Sequence, residues 1–479
     1  MELKPKAVFD YFAEINKVPR PSKHEEKMIA YLKGFADANG LSFKTDEAGN
    51  VLIAKPATPG MEDRPTVVLQ GHMDMVCEKR SDCEIDFEND PIETYIDGEW
   101  MRAKGTTLGA DDGIGVALAM AILTDKSIKH GPIECLFTRD EETGLTGAFA
   151  IQPGFMTGKY LINLDSEDEG EIFIGCAGGV NTDIEFEYYA ESMPENYVAM
   201  KVVVDKLTGG HSGDDINKNR ANANKLLARF LYDISGKYDV KLCSIDGGNL
   251  HNAIPRHAEA VIAIPDSQKH EIRSEFNIFA AAIQDEYHTT EPTAEFVMES
   301  VELPETTIDD ITASNLIAAL NAVHNGVYEW SQDIPNFVET SSNLASVKMP
   351  EEGKIKIVAS QRSSTKSQLD AVCNVVASAF SLAGADVLIN EGYPGWKPNP
   401  NSALLQLAVD KYKELFGKEP KVRAIHAGLE CGLFSEKYPG LDMVSFGPTL
   451  RGVHSPDEKL LIPTVEMVWK HLVAIIESL

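Results

Sequence analysis

The chain has 479 residues, 43% of them hydrophobic and 25% charged, enough for two or three folded domains. Its 74 acidic and 44 basic side chains give a formal charge of −30. That balance argues against nucleic acid or an anionic membrane as a partner, because both require basic surfaces, but it leaves a small charged substrate open.

No apolar run approaches the length of a membrane span; the longest is Ile114 to Leu123. The N-terminal Met-Glu-Leu-Lys-Pro-Lys has no signal-like apolar core. The seven cysteines (Cys77, Cys83, Cys135, Cys176, Cys243, Cys373 and Cys431) are odd in number and show no zinc-ribbon or CxxC spacing. They read as reduced thiols, and the chain as cytoplasmic.

Along the first 180 or so residues, helical and strand patterns alternate. Residues 7–18 and 26–38 read as amphipathic helices, 66–70 as a buried strand, 114–124 as an apolar helix, and 133–138 and 160–164 as further strands. This implies an α/β domain with a mixed, mostly parallel sheet covered by helices. A strand at 442–446 near the C-terminus is expected to join it. The middle of the chain differs. A strand at 199–205 with a helix at 221–235 is echoed by a strand at 354–360 with a helix at 368–383, and between them lie a strand at 258–265 and a helix at 268–287. We read this as an inserted α+β domain of two related halves. The expected boundaries are 1–184 and 395–479 for the two parts of the first domain and 185–394 for the insertion, the second break being marked by Pro394-Gly-Trp-Lys-Pro-Asn-Pro-Asn-Ser.

Five segments with acidic or histidine residues follow apolar runs directly: Gly-His72-Met-Asp74, Gly-Ala-Asp111-Asp112-Gly, Asp-Glu141-Glu142-Thr-Gly, Asn-Leu-Asp165-Ser and Gly-Val-His454-Ser. Loops beyond the carboxyl ends of strands in an open α/β sheet share one rim, so these segments can converge. Each alone has an ordinary explanation: Asp111 as a helix N-cap, Glu141 and Glu142 as a solvated acidic turn, His454 as a surface histidine. Together His72, Asp111, Glu142, Asp165 and His454 offer two imidazoles and three carboxylates, a nitrogen–oxygen set suited to zinc, manganese or cobalt. Glu141 remains as a free base. Adjacent carboxylates on an extended segment point to opposite sides, so Glu141 is expected to face the reacting water while Glu142 faces metal. Asp74, on the same side of an extended segment as His72, can fix that imidazole's tautomer.

With Gln70-Gly-His-Met-Asp-Met-Val, Thr107-Leu-Gly-Ala-Asp-Asp-Gly-Ile-Gly, Thr138-Arg-Asp-Glu-Glu-Thr-Gly, Leu207-Thr-Gly-Gly-His-Ser-Gly, Asn252-Ala-Ile-Pro and Ile425-His-Ala-Gly-Leu-Glu-Cys-Gly, nearly the whole chain resembles the M20 family of dinuclear zinc exopeptidases and deacylases. The resemblance implies a zinc-exopeptidase-like catalytic domain holding two divalent ions, zinc first, with manganese or cobalt as alternatives. Asp111 would bridge, His72 and Asp165 would complete one position, and Glu142 and His454 the other. Glu141 would act as general base on a metal-bridging water, Asp74 would orient His72, and the Asp111–Asp112 peptide would be cis. The insertion would be a lid of two ferredoxin-like halves. Its His211 would donate to the substrate oxyanion, Asn252 would hold the substrate, and Arg362 would clamp a free carboxylate. His426 and Glu430 fall in a segment similar to the family's substrate loop. The implied activity is hydrolysis of L-dipeptides, those ending in histidine included. An N-acyl amino acid deacylase or tripeptidase on the same centre, or a silent peptide- or metal-binding protein, are the alternatives. In some relatives the lid dimerises and sends its histidine into the neighbouring subunit, so a homodimer stays open, although a doubled lid can serve its own chain.

Overall fold

The computed structural model describes residues 3–479, which divide into two compact units. The first comprises the chain up to Gly175, Trp396–Ala424 and Leu429–Leu479, and the second Cys176–Gly395 with Ile425–Gly428. The first break therefore falls earlier than 184, and a four-residue piece containing His426 groups with the inserted unit.

The first unit is built on an eight-stranded sheet in the order 42–45, 51–55, 133–138, 67–72, 160–163, 442–445, 171–176, 421–425. Its centre is parallel: Val67–His72 lies between Ile133–Thr138 and Tyr160–Asn163, and Asp442–Ser445 continues beyond. Strands Ser42–Thr45 and Val51–Lys55 on one flank and Glu171–Cys176 on the other pair antiparallel. "Mostly parallel" thus holds only for the four central strands. All six residues of Val67–His72 and of Ile133–Thr138 are buried, which explains the apolar runs Val67–Leu69 and Cys135–Phe137 within them. Helix Ala110–Thr124 packs on Val67–His72 and on helix Lys6–Ile15 and buries every residue from Asp112 to Leu123, so it has no polar face. Each Leu, Ile or Val buried there contributes roughly 1.5–3 kcal/mol. His72, Thr138, Asn163 and Ser445 end or nearly end the central strands and stand at one rim. A separate four-stranded sheet (Thr94–Asp97, Trp100–Ala103, Leu450–Arg451, Lys459–Leu461) presents residues 452–458 as a hairpin loop.

The second unit carries one long antiparallel sheet formed by two halves of like topology. In one half Tyr197–Asp205, helix Ala223–Ser235, Lys241–Gly247, Ala258–Pro265, helix Lys269–Glu286 and Glu295–Val301 follow in sequence, and the strands lie in the order fourth, first, third, second. The other half uses Gly178–Glu187 as first strand, then helix Asp310–Ala322, Val338–Glu351, Lys354–Ser363, helix Lys366–Leu382 and Asp386–Ile389, in the same spatial order. The halves join where Gly247 pairs with Val347. The echo seen in the sequence was therefore out of step. Strand 354–363 is the third of its half, and the counterpart of 197–205 is 178–187, which precedes the whole first half. Among the described residues no helix is long and apolar enough to cross a membrane.

Candidate metal centre

All five expected ligands and Glu141 meet on the rim of the first unit. Asp111 lies between the two histidines: Oδ1 is 3.1 Å from His72 Nε2 and Oδ2 is 3.1 Å from His454 Nε2. Asp165 Oδ1 is 3.5 Å from His72 Nε2, and Glu142 Oε2 is 3.0 Å from His454 Nε2. Two donors each about 2.1 Å from one tetrahedral ion are separated by ~3.4 Å, so these contacts, which are hydrogen bonds and ion pairs here, are also short enough for the atoms to share a cation. His72, Asp111 and Asp165 form one such group, and Asp111, Glu142 and His454 the other. Glu142 Oε1 is buried and has no hydrogen-bond partner. The donor set and this orphaned oxygen fit a pair of divalent ions.

Charge in the pocket supports the fit. Burial pushes the Asp165 carboxyl up to about 7 against the pull of His72, and it raises Glu141 and Asp112 well above the carboxylate range. His454 is pushed up to about 11 by its hydrogen bonds to Asp111 and Glu142. Burial alone would lower His72, but Asp165 and Asp111 raise it well above its ordinary value. Against burial, the two histidines hold Asp111 below the carboxylate range. For the acids that are raised, burial is the larger cause and repulsion between carboxylates adds to it, and bound cations would offset both.

Local sequence explains the placement. Strand Val67–His72 ends at His72, whose Nδ1 lies 3.2 Å from Asp74 Oδ1, within ion-pair distance although not in hydrogen-bonding geometry. Asp74 is fully buried and also accepts from the Glu141 and Glu142 amides and from Ser22 Oγ. Burial raises its carboxyl, but His72 and these donors leave it below its ordinary value. One carboxylate thus fixes an imidazole and the acidic turn together.

That turn is not extended. Asp140 is left-handed (φ 49°), its carboxylate accepts from Thr143 and Thr146, and the Glu141 carbonyl accepts from Gly144 and Leu145. The bend brings both Glu141 and Glu142 within reach of His72 instead of sending them to opposite sides. Asp111 is not the N-cap of its helix either. Gly109 (φ 66°) begins that helix with no side-chain cap, and the Asp111–Asp112 peptide is cis. The neighbouring Asp112 takes up the free amides: Oδ1 accepts from Gly115 N and Oδ2 from His72 N, each at 3.2 Å. His454, half exposed, also adopts a left-handed backbone (φ 58°), a conformation that costs about 1–3 kcal/mol and aims the ring at Asp111 and Glu142.

Glu430 was expected near substrate. It is fully buried in the first unit, with Oε2 accepting from Gln70 Nε2 (2.6 Å) and Thr138 Oγ1 (2.7 Å). Gln70 continues to Asn163, Asn163 to Ser445, and Ser445 to Ser166, a polar chain across the central strands beneath the ligands. Burial pushes Glu430 up to about 7.

His211, Asn252, Arg362 and His426 all belong to the second unit. His211 lies on the short strand Gly210–His211, paired with Ala253–Ile254. Its Nδ1 accepts from the amides of Gly213 and Asp214, both at 3.2 Å, so the neutral ring carries its hydrogen on Nε2. Burial and the charge of Arg362 keep it below its ordinary pKa, hence neutral. Arg362 is 6% exposed and donates to Tyr393 Oη at 2.8 Å, while its Nε has no partner. His426 Nε2 lies 2.8 Å from Ser341 Oγ, and burial, then Arg362, push it down to about 3. Asn252 is exposed, and its carbonyl accepts from Ser212 N. Asp112, Gln70, Ser341 and Tyr393 were not singled out from the sequence. Only Asp112 had a local signal, its place beside Asp111.

The model of peptidase family M20/M25/M40 matches residues 68–478. The chain is 42% identical over 478 residues to the cytosol non-specific dipeptidase of Escherichia coli K12, covering 100% of this chain and 98% of that one. It is 43% identical to the aminoacylhistidine dipeptidase of Vibrio alginolyticus, whose crystal structure superposes with a TM-score of 0.93, covering 100% and 97%. The fold is also shared with aminopeptidase PepT of Bacillus cereus at 19% identity, a TM-score of 0.57 and coverage of 99% and 98%.

Proposed function

The chain belongs to peptidase family M20/M25/M40, and we propose that it is a metal-dependent dipeptidase cleaving L-dipeptides, Xaa-His among them. The observation that carries the reading is Asp111 with one carboxylate oxygen toward each of two imidazoles and Glu141 beside them. His72, Asp111 and Asp165 would hold one ion and Asp111, Glu142 and His454 the other, zinc being the best match to this nitrogen–oxygen set. When bound, the ions supply Lewis acidity that polarises the scissile carbonyl and makes the attacking water more acidic.

Glu141 takes the proton of that water as its oxygen adds to the carbonyl carbon. It then delivers the proton to the amine nitrogen as the C–N bond breaks. Asp74 holds both His72 and the Glu141 backbone while this happens. His211 donates its Nε2 hydrogen to the developing oxyanion, a role favoured by a neutral ring whose Nδ1 is already occupied by two amides. Arg362 receives the free carboxylate, its Nε having no protein partner, with Asn252 and His426 also serving the substrate. For Glu430 we propose a supporting role beneath the ligands in place of contact with substrate, since Gln70 and Thr138 already hold it. A reducing, cytoplasmic setting fits the odd number of cysteines and their spacing.

The test is hydrolysis of Ala-His, β-Ala-His, Gly-Gly, a tripeptide and an N-acetyl amino acid by zinc-, manganese- and cobalt-loaded protein, with a chelated control. Cleavage confined to dipeptides and abolished by chelation is the expected result. Turnover of only the acetylated compound or the tripeptide would overturn the assignment.

A further inference from the structure

Two buried charged side chains outside the ligand set converge on the loop that carries Asp111. Glu458, 2% exposed, lies in the same hairpin loop as His454. Its Oε2 accepts from Leu108 N (2.7 Å) and Gly109 N (3.0 Å), and its Oε1 from Ala110 N (2.8 Å) and Asp111 N (3.3 Å). These amides begin helix Ala110–Thr124, where backbone donors have no partners of their own and negative charge is favoured. Arg20, 1% exposed, supplies the opposite polarity. Its Nη2 donates to the Gly109 carbonyl (2.5 Å) and its Nη1 to the carbonyls of Asp74 (2.7 Å) and Met73 (3.3 Å). A Cβ on Gly109 or Gly113 would meet Arg20 Nη2 at 2.6 Å, so the glycines flanking Asp111 and Asp112 leave room for this guanidinium.

The connections run in line. Glu458 ties the His454 loop to the Asp111 loop, and Arg20 ties the Asp111 loop to the His72 loop. Each charge is spent on backbone groups of segments that bear ligands. A pair serving only to stabilise the core has no need to choose these segments.

We propose that Arg20 and Glu458 are positioning residues of the metal centre, holding the Asp111 carboxylate between His72 and His454 ahead of cation binding and thereby setting metal affinity. The inference rests on the two-cation reading of those ligands but not on which peptide is cleaved.

The experiment uses the full chain and the variants E458Q and R20K. Glu458→Gln keeps the shape but turns one acceptor oxygen into an NH₂ group facing amide hydrogens. Arg20→Lys keeps the charge but has a single nitrogen to serve two loops. Zinc affinity is read by competition with a chromophoric chelator, cobalt coordination by visible absorption, steady-state kinetics on Ala-His, and unfolding of chelated protein by circular dichroism. For both variants at least one zinc should bind about 10- to 100-fold more weakly, the cobalt spectrum should change, and kcat should fall while KM holds. Variants that melt earlier yet bind both ions as the parent does, with its cobalt spectrum, would overturn the proposal and leave a structural role. Should E458Q not fold, R20K alone decides by the same criteria. A parent chain that does not bind two ions would instead sink the two-cation reading itself.

Discussion

The smallest informative perturbation of this centre is one carbon atom at Gly71. A Cβ there would lie 2.1 Å from Asp112 Oδ2 and 3.3 Å from its Cγ. Asp112 has nowhere to go, because a Cβ built on Gly115 would meet its Oδ1, also at 2.1 Å, and its oxygens are held by the amides of His72 and Gly115. Gly71→Ala must therefore overpack the site, at about 1–3 kcal/mol, or break a hydrogen bond to a buried carboxylate, at about 1.5–3 kcal/mol. We expect a loss of about 1–3 kcal/mol in the stability of the first unit, and a 10- to 100-fold weaker zinc affinity because the displaced segment carries His72. Gly34→Ala is the control. It sits within helix Glu26–Ala38 with nothing within 4 Å of its Cβ, so alanine there should stabilise by about 0.5–1 kcal/mol. Urea unfolding of chelated protein and zinc competition with a chelator read the two quantities separately. A Gly71→Ala protein that unfolds and binds zinc as the parent does would refute the argument from close approach.

Glu141→Gln should lower kcat about 10²- to 10⁴-fold with both ions still bound by elemental analysis, and an active variant would remove Glu141 as the base. His211→Ala should cost about 10²- to 10³-fold in kcat with little change in KM, so a purely KM effect would assign it to binding instead. Arg362→Ala should reduce kcat/KM for a dipeptide about 10- to 100-fold yet leave a slowly cleaved dipeptide amide unaffected; equal losses on both would dissociate Arg362 from the carboxylate. In chelated protein, the Asp165 and Glu430 carboxyls are pushed up to about 7, so the folded state keeps protons that the unfolded chain releases near pH 4. Their contribution is complete below that and is lost as pH rises through about 7. The melting temperature of chelated protein should decline over this window while zinc-loaded protein does not follow it, and parallel curves would contradict the charge argument.

The central strands could be read from sequence because they are buried on both faces, as in Val67–Leu69 and Cys135–Phe137, and a short apolar run announces itself. The edge strands could not. Ser42–Thr45 and Thr94–Asp97 are exposed throughout, so no buried face patterns their short sequences, and Glu295–Val301 buries no residue fully. The proposed ligand set was legible since each member ends or closely follows a strand or opens a helix. The conformation that aims it was not: the turn at Asp140 depends on Thr143, Thr146 and Glu25, and nothing in Asp-Glu-Glu states that the two glutamates face one way. Arg20 and Glu458 were invisible for a plainer reason, since their partners lie at least 53 and 347 residues away.

Charge accounting explains why so many supporting residues are needed. Asp111, Glu142 and Asp165 contribute three negative charges and Glu141 a fourth, matching two divalent ions. Until both ions are present the surplus is negative, and repulsion between neighbouring carboxylates adds to burial, the larger cause, in raising Glu141, Asp165 and Glu430. Carboxylates that repel one another would open the site unless their backbones were fixed. The backbone of each acidic ligand segment is indeed held by a further buried group: Glu141 and Glu142 by Asp74, Asp111 by Glu458, and Asp165 by the Asn163 side chain through its amide. In the proposed centre the ligands are thereby spaced by groups outside the ligand set, so metal affinity should be as sensitive to Asp74, Asp112 and Glu458 as to some of the ligands themselves.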